Sequence, residues 1–343
     1  RPPRSTLFPY TTLFRSTWQD CDDTTEYLES LCGQLGDDDC FYLLDNASKA
    51  EYADKIEQWL EAKVSGQYRI MTLDDFVDNY TYNQAYRYIF IRSPENMGFA
   101  VANNVIFDVI KDAGFKYITL INNDTLLSPD TLSQLFSAME KYPEYGVMTG
   151  DIRYYSEREK LWNAGGYFTF YGDKRYFNQK KIDKMKARGR EVMDCEFLTG
   201  CFMCCRTELL LKYGLFTDKF FFGEDDFNFC MRMKKAGIKL GCALNAVLYH
   251  KVSSSMVKTS ANDDYRNIVH FTNRIIDQKE FMTPIKWRCF RRIYLGIVML
   301  KMLKNRYGFK TSKRVTGAVA FYSKKYNTVD RAVFMDICER YKQ

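Results

Sequence analysis

Short apolar runs alternate with amphipathic stretches through the first half of the chain. Cys40-Phe41-Tyr42-Leu43-Leu44 is one such run, ending at Asp45-Asn46-Ala47-Ser48. Tyr88-Ile89-Phe90-Ile91 is a second, and Tyr117-Ile118-Thr119-Leu120-Ile121 a third, ending at Asn122-Asn123-Asp124. Uninterrupted β-prone runs of this length read as buried strands. Helices are predicted between them. Asp22-Asp23-Thr24 with Glu26 opens one through about Leu35, and Ile56, Trp59 and Leu60 share the face of another. Asn96-Met97-Gly98-Phe99-Ala100 enters a third that runs to about Ala113 and stops at Gly114. Ser128-Pro129-Asp130 opens a fourth. Strands alternating with helices predict right-handed βαβ units and a parallel sheet. After Gly150 the rhythm breaks into strands and loops, with a basic, polar insertion near 172–191. Leu209 to Tyr213 and Glu224 to Ala236 read as helices, and Ile238 to Tyr249 as a strand ending at His250. Helices fill the rest.

Composition changes this picture in two places. Eleven cysteines lack framework spacing, and the chain has 343 residues with only two histidines. An odd count with no secretory signal predicts reduced thiols and a cytoplasmic location. Cys201, Cys204 and Cys205 lie close together, as zinc ligands or as small buried hydrophobes on a strand; the second reading is preferred. Net charge is +7, but unevenly spread: fifteen Lys/Arg against three Asp/Glu from Pro284 onward give +12 there and leave −5 elsewhere. That tail contains the apolar stretch Ile293 to Leu300, shorter than the roughly 20 residues a bilayer span needs. A short apolar helix with basic flanks predicts a segment lying on an anionic membrane surface. A docked helix with a solvated basic face is the alternative, and nucleic acid is not an expected partner.

The acids at element ends carry the candidate chemistry. The C-terminal edge of a parallel sheet is where ligands bind in open α/β folds. Asp124 there suits a hard divalent cation, which in turn suits phosphate oxygens. Glu224-Asp225-Asp226 begins an amphipathic helix, whose N-terminus tolerates negative charge. One acid for a metal and one for a proton equips a metal-assisted group transfer. Each acid also has a structural reading: Asp124 as a loop acid, Asp226 as a helix cap, Asp45 in an Asx-turn.

Taken in order, the motifs resemble the family-2 glycosyltransferases, in their rhamnosyltransferase-like branch of bacterial surface polysaccharide synthesis. They are Asp45-Asn46-Ala47-Ser48, ENMGFAVANN at 95–104, INNDT at 121–125, WNAGG at 162–166, TGCFMCCR at 199–206, GEDDFNFCMR at 223–232 and LYHKVSSS at 248–255. The resemblance implies an α/β GT-A fold, a Rossmann-like nucleotide-sugar-binding sheet flanked by helices, over 17–283. A basic helical extension would follow at 284–343. It implies an inverting, metal-dependent hexosyltransferase. Its partners would be a nucleotide-sugar donor, Mn2+ or Mg2+, a glycan or lipid-linked acceptor and the inner face of the cell membrane. By the same resemblance Asp226, with Asp225 beside it, supplies the catalytic base. Asp45, Asn96, Gly98, Asn122, Asn123 and Asp124 serve the donor, and Asp124 with His250 the metal. Trp162, Gly165, Gly166, Thr199, Gly200 and Glu224 border the sugar and acceptor. Asn122 stands where many members carry Asp. A sugar-phosphate nucleotidylyltransferase and a non-catalytic membrane-associated subunit of a glycan assembly complex are the competing functions.

Thr6 to Ser16 resembles the in-frame translation of a sequencing adapter, so residues 1–16 are expected to be foreign. The central strand of the fold would then be missing, its place left disordered or taken by a surrogate near 11–16.

Overall fold

The structure, a computed structural model, describes residues 11–17, 21–252 and 264–341. The three apolar runs are parallel strands β2 (Cys40–Asn46), β4 (Tyr88–Ser93) and β5 (Tyr117–Ile121). The central place is filled by β1 (Thr11–Thr17), which pairs in parallel with β2 on one side and β5 on the other. The stretch expected to be foreign therefore supplies all of that strand but Thr17; its first ten residues lie outside the described ones. A short, mostly exposed strand, β3 (Tyr68–Thr72), closes the far edge beside β4.

On the other side of β5 the sheet becomes mixed. β12 (Phe202–Arg206) runs antiparallel between β5 and β7 (Tyr145–Tyr154). β13 (Lys239–His250) pairs in parallel with β7 and carries β11 (Val192–Cys195) at the edge. The order is β11-β13-β7-β12-β5-β1-β2-β4-β3, with β6 (Thr125–Leu127) added to β13 and β8 (Leu161–Asn163) to β7. β9 (Gly166–Phe168) and β10 (Lys174–Tyr176) form a separate hairpin.

Successive residues of a strand face opposite sides, which explains why the central runs are apolar throughout. Tyr42, Leu44, Ile118 and Leu120 enter one core with α4 (Phe99–Ile110), α3 (Leu73–Asn79) and α8 (Asp225–Lys235). Phe41, Leu43, Tyr117 and Ile121 enter a second with α1 (Cys21–Cys32), α2 (Ala50–Val64) and α5 (Thr131–Lys141). The result is a central sheet between helical layers. Cys204 and Cys205 go to opposite faces, so they fill the two cores and cannot share an ion. The basic insertion holds β10 and α6 (Gln179–Ala187), capped by Asn178; α7 (Thr207–Tyr213) follows β12.

The last four helices are α9 (Asp264–Phe281), α10 (Pro284–Lys304), α11 (Phe309–Lys325) and α12 (Arg331–Tyr341). They bury a third core in which Ile268 and Ile275 of α9 meet Tyr294, Val298, Val315, Tyr322 and Ile337. The bundle thus takes in residues on both sides of the expected 283/284 boundary. Phe220, from the loop before α8, is buried in the same core. Among the described residues, no helix is long and apolar enough to cross a membrane.

Candidate active site

Strand order reverses between β1 and β5, and α/β folds bind ligands in the crevice outside the C-terminal strand ends at such a point. Asp124 follows β5 at this point. His250, the last residue of β13, brings Nε2 to 3.2 Å from Asp124 Oδ2. The ring of Trp162 lies 4.2 Å from the imidazole, centroid to centroid. Burial opposes charge on His250, but Cys201 and the Asp124 carboxylate raise its pKa to about 10. Among the described residues, neither ring nitrogen has a well-directed hydrogen-bond partner. Only a neutral imidazole ligates a metal, so a divalent ion taken up beside the Asp124 carboxylate would displace the His250 ring proton. Among those residues no three His, Cys, Asp or Glu side chains cluster into a full cage. Two protein ligands suffice where substrate phosphates complete the shell, as with Mg2+ at nucleotide sites.

Across the crevice, α8 begins at Asp225. Glu224 before it takes the left-handed conformation, with φ of 75°. The two aspartates differ in setting. Asp225 is buried, and desolvation together with the neighbouring Asp226 pushes its pKa well above the ordinary value. Asp226 is partly open and lies 3.4 Å from Lys174 Nζ on β10. Burial disfavours the Lys174 ammonium, but Asp226 together with Tyr176 and Glu224 holds the lysine above its usual pKa. The turn at Thr199–Cys201 connects the two halves. A Cβ on Gly200 would lie 3.9 Å from that of Asp226, while Cys201 neighbours His250 and its carbonyl accepts from Asn122 N at 2.8 Å.

The other expected donor residues are placed as follows. Asp45, next to last in β2, is buried, and both its carboxylate oxygens lie 3.3 Å from the backbone N of Ser48, three residues on. Desolvation raises its pKa against that bond. Asn96 Oδ1 accepts from Gly98 N at 2.9 Å. Asn123 is turned to the fold: its amide donates to Thr17 and Thr24 at 3.1 and 2.9 Å. Asn104 is a structural amide that exchanges both bonds with the Phe216 backbone.

Several expected pocket residues are held by packing. A Cβ on Gly165 would meet Cys195 Sγ at 2.6 Å, and one on Gly166 would meet Arg175 O at 2.1 Å. Thr199 is buried and accepts from Cys201 N at 3.3 Å. Glu224 does not face an open pocket, because its carboxylate is paired with the buried Arg274 of α9.

Gly98 has a different demand on it. Its φ is 80° and a Cβ there would sit 2.5 Å from Phe221 O, in the loop leading to Asp226. Gly98→Ala is therefore expected to destabilise the fold by about 1–3 kcal/mol, read from urea unfolding.

Sequence reasoning missed Lys174, Asp173 and Arg274. The signal for Arg274 is a charged residue set directly before Ile275 and Ile276 of α9.

Comparison with known proteins agrees with this architecture. The chain belongs to the family described as Glycosyltransferase like family 2, which matches residues 75–268. It is a glycosyltransferase of GT-A fold. No curated protein matches it at the level of sequence. Among solved structures it is similar to the mannosyltransferase PcManGT from Pyrobaculum calidifontis in complex with GDP-Man and Mn2+. The TM-score is 0.51 at 13% identity, covering 98% of this chain and 75% of that one. It is also similar to GalNAc-T7 with UDP, GalNAc and Mn2+, with TM-score 0.59 at 9% identity, covering 98% of this chain and 59% of that one.

Proposed function

We propose that the chain transfers a sugar, with inversion, from a nucleotide-sugar donor to a glycan or lipid-linked acceptor in cell-surface polysaccharide synthesis. The rhamnosyltransferase-like branch is the reading its motifs favour. The observation that carries it is the convergence on one turn, Thr199–Cys201, of two kinds of group. Cys201 adjoins the Asp124–His250 pair, and Gly200 adjoins Asp226.

The acceptor hydroxyl is a weak acid and needs a carboxylate to take its proton as it attacks. Asp226 accepts that proton. The acceptor oxygen bonds to the anomeric carbon as the bond from that carbon to the donor diphosphate breaks. Asp124 and His250 would hold Mn2+ or Mg2+; when bound, the ion offsets charge developing on the leaving diphosphate. Asp45, near a neighbouring strand end, would accept from a base N–H through the lone pairs that Ser48 N leaves free, and Trp162 would border the sugar. The basic C-terminal region seats the protein on the inner face of the cell membrane, where a lipid-linked acceptor is found. Residues 1–16 are read as foreign, with residues 11–16 standing in for most of the native strand.

Nucleotide release from a panel of nucleotide-sugars, with and without Mn2+ and acceptor, tests the reading. One donor is expected to turn over, faster with acceptor, and to stop in EDTA. Asp124→Ala should lose the metal stimulation, with a fall of about 10²-fold given the several kcal/mol such ions supply. Pyrophosphate release from a nucleoside triphosphate and a sugar phosphate would instead identify a nucleotidylyltransferase. No turnover of any donor would favour a non-catalytic subunit.

A further inference from the structure

Helix α10 has two apolar faces, and the fold uses one of them. Tyr294, Val298 and Met302 point inward and are buried in the bundle core. The opposite face runs through Ile285, Cys289, Ile293, Gly296, Leu300 and Leu303. These positions are three to four apart, so they form one stripe along the helix. The stripe is bare: Ile285 is 74%, Ile293 65% and Leu300 67% exposed. Phe309, at the start of α11, is 67% exposed beyond its end. The Gly296 position has nothing within 4 Å of a built Cβ, so the middle of the stripe is open too.

We propose that this outer face of α10 is the surface that seats on an anionic phospholipid bilayer, with α10 lying in the interface plane. The proposal deepens the membrane-facing reading above and rests on it. Charge selects the occupant. α10 carries six Lys/Arg and no Asp/Glu. Exposed Arg288 and Arg292 on one side of the stripe, and Lys286 and Lys304 on the other, flank the apolar residues. Apolar side chains enter the acyl boundary while flanking cations meet lipid phosphates, the pattern of interfacial helices. A second copy of this chain would bring the same cations face to face across a self-complementary interface, which argues against a dimer.

The geometry gives the surface a use. From the inward side of α10, Lys301 pairs with Asp173, which pairs in turn with Arg274 of α9, the partner of Glu224 beside the proposed base. A bilayer-seated α10 therefore holds the acceptor side of the crevice at a fixed distance from the lipid headgroups.

Sedimentation of the full chain with phosphatidylcholine vesicles, alone or containing phosphatidylglycerol, tests this. Binding is expected only with phosphatidylglycerol and is expected to fall as salt rises. Ile293→Ser/Leu300→Ser should weaken it at least about tenfold. Arg288→Gln/Arg292→Gln should weaken it and flatten its salt dependence. Both variants change exposed side chains only, so donor-derived nucleotide release in solution should stay at the wild-type level. Loss of release in wild type and variants alike would count against the glycosyltransfer reading, not this surface. Equal vesicle binding by wild type and Ile293→Ser/Leu300→Ser would overturn the proposal. So would equal binding to both vesicle types, or a wild-type dimer that this variant dissociates without any vesicle binding.

Discussion

Asp226→Asn is expected to reduce sugar transfer by about 10²-fold or more while leaving donor affinity within a few-fold. The amide keeps the shape and the start of α8 but cannot take the acceptor proton. The neighbours give the prediction its contrast. Asp225 is buried and pushed toward its neutral form, so it is a poor base at neutral pH. A folded carboxyl whose pKa is raised costs stability once the pH passes its unfolded value. Asp225→Asn removes that cost, so at neutral pH it should hold or raise stability and keep transfer within a few-fold. Glu224 has its carboxylate engaged by Arg274. Asp226 is the one carboxylate of the three that is partly open, held toward the crevice by Lys174 at 3.4 Å. Single-turnover transfer with saturating donor, alongside donor titration by calorimetry, separates chemistry from binding. A dead Asp225→Asn with a working Asp226→Asn would move the base by one residue.

The strands legible in the sequence are those buried on both faces. β2, β4 and β5 announce themselves as unbroken apolar runs because alternate residues feed two different cores. β13 is legible for the same reason, and α5 from its Ser-Pro-Asp start. β3 is not, because Tyr68 to Thr72 is a short edge strand that buries only Met71. β6, β8, β9 and β10 have three residues each, too few to show a period. α6 looked like loop because only Ile182 of its nine residues is buried. At the site, Asp124, Asp226 and His250 stood out as polar residues where apolar runs end. What the sequence concealed were partnerships made across the chain. Arg274 is 50 residues from Glu224, and Lys174 is 52 from Asp226. Nothing local to Glu224 indicates that an arginine from α9 claims its carboxylate, so the motif alone points it to the acceptor pocket. The same long range hides the role of α9 itself, which reads as one more amphipathic helix.

Arg274→Met is expected to destabilise the protein by about 3–5 kcal/mol, because it leaves the Glu224 carboxylate buried without a partner. Arg274 is fully buried, pairs with Glu224 and with Asp173 Oδ1 at 3.0 Å, and lies over the Phe227 ring at 3.4 Å. Burial works against its charge, but the two carboxylates hold its pKa above the ordinary arginine value. Around it the bundle grips the whole loop before α8. Asn273 Nδ2 donates to Phe222 O at 2.9 Å, Asn228 Nδ2 donates to Asp277 Oδ1 at 2.6 Å, and Phe221 N donates to Val329 O at 2.8 Å. The pair also fixes Glu224 in a left-handed conformation that costs of order 1–3 kcal/mol without such support. Freed of it, the loop would relax and shift Asp226, so kcat should fall in the folded fraction while donor affinity changes little. Arg274→Met/Glu224→Gln removes the stranded charge and should recover a large part of the stability. It should not recover kcat, since the loop stays unheld. Urea unfolding and steady-state transfer on the same preparations decide between the two roles. If the double variant is no more stable than the single, the charge pair is not what holds the loop. If stability falls but transfer per folded molecule does not, the bundle supports the fold without positioning the base.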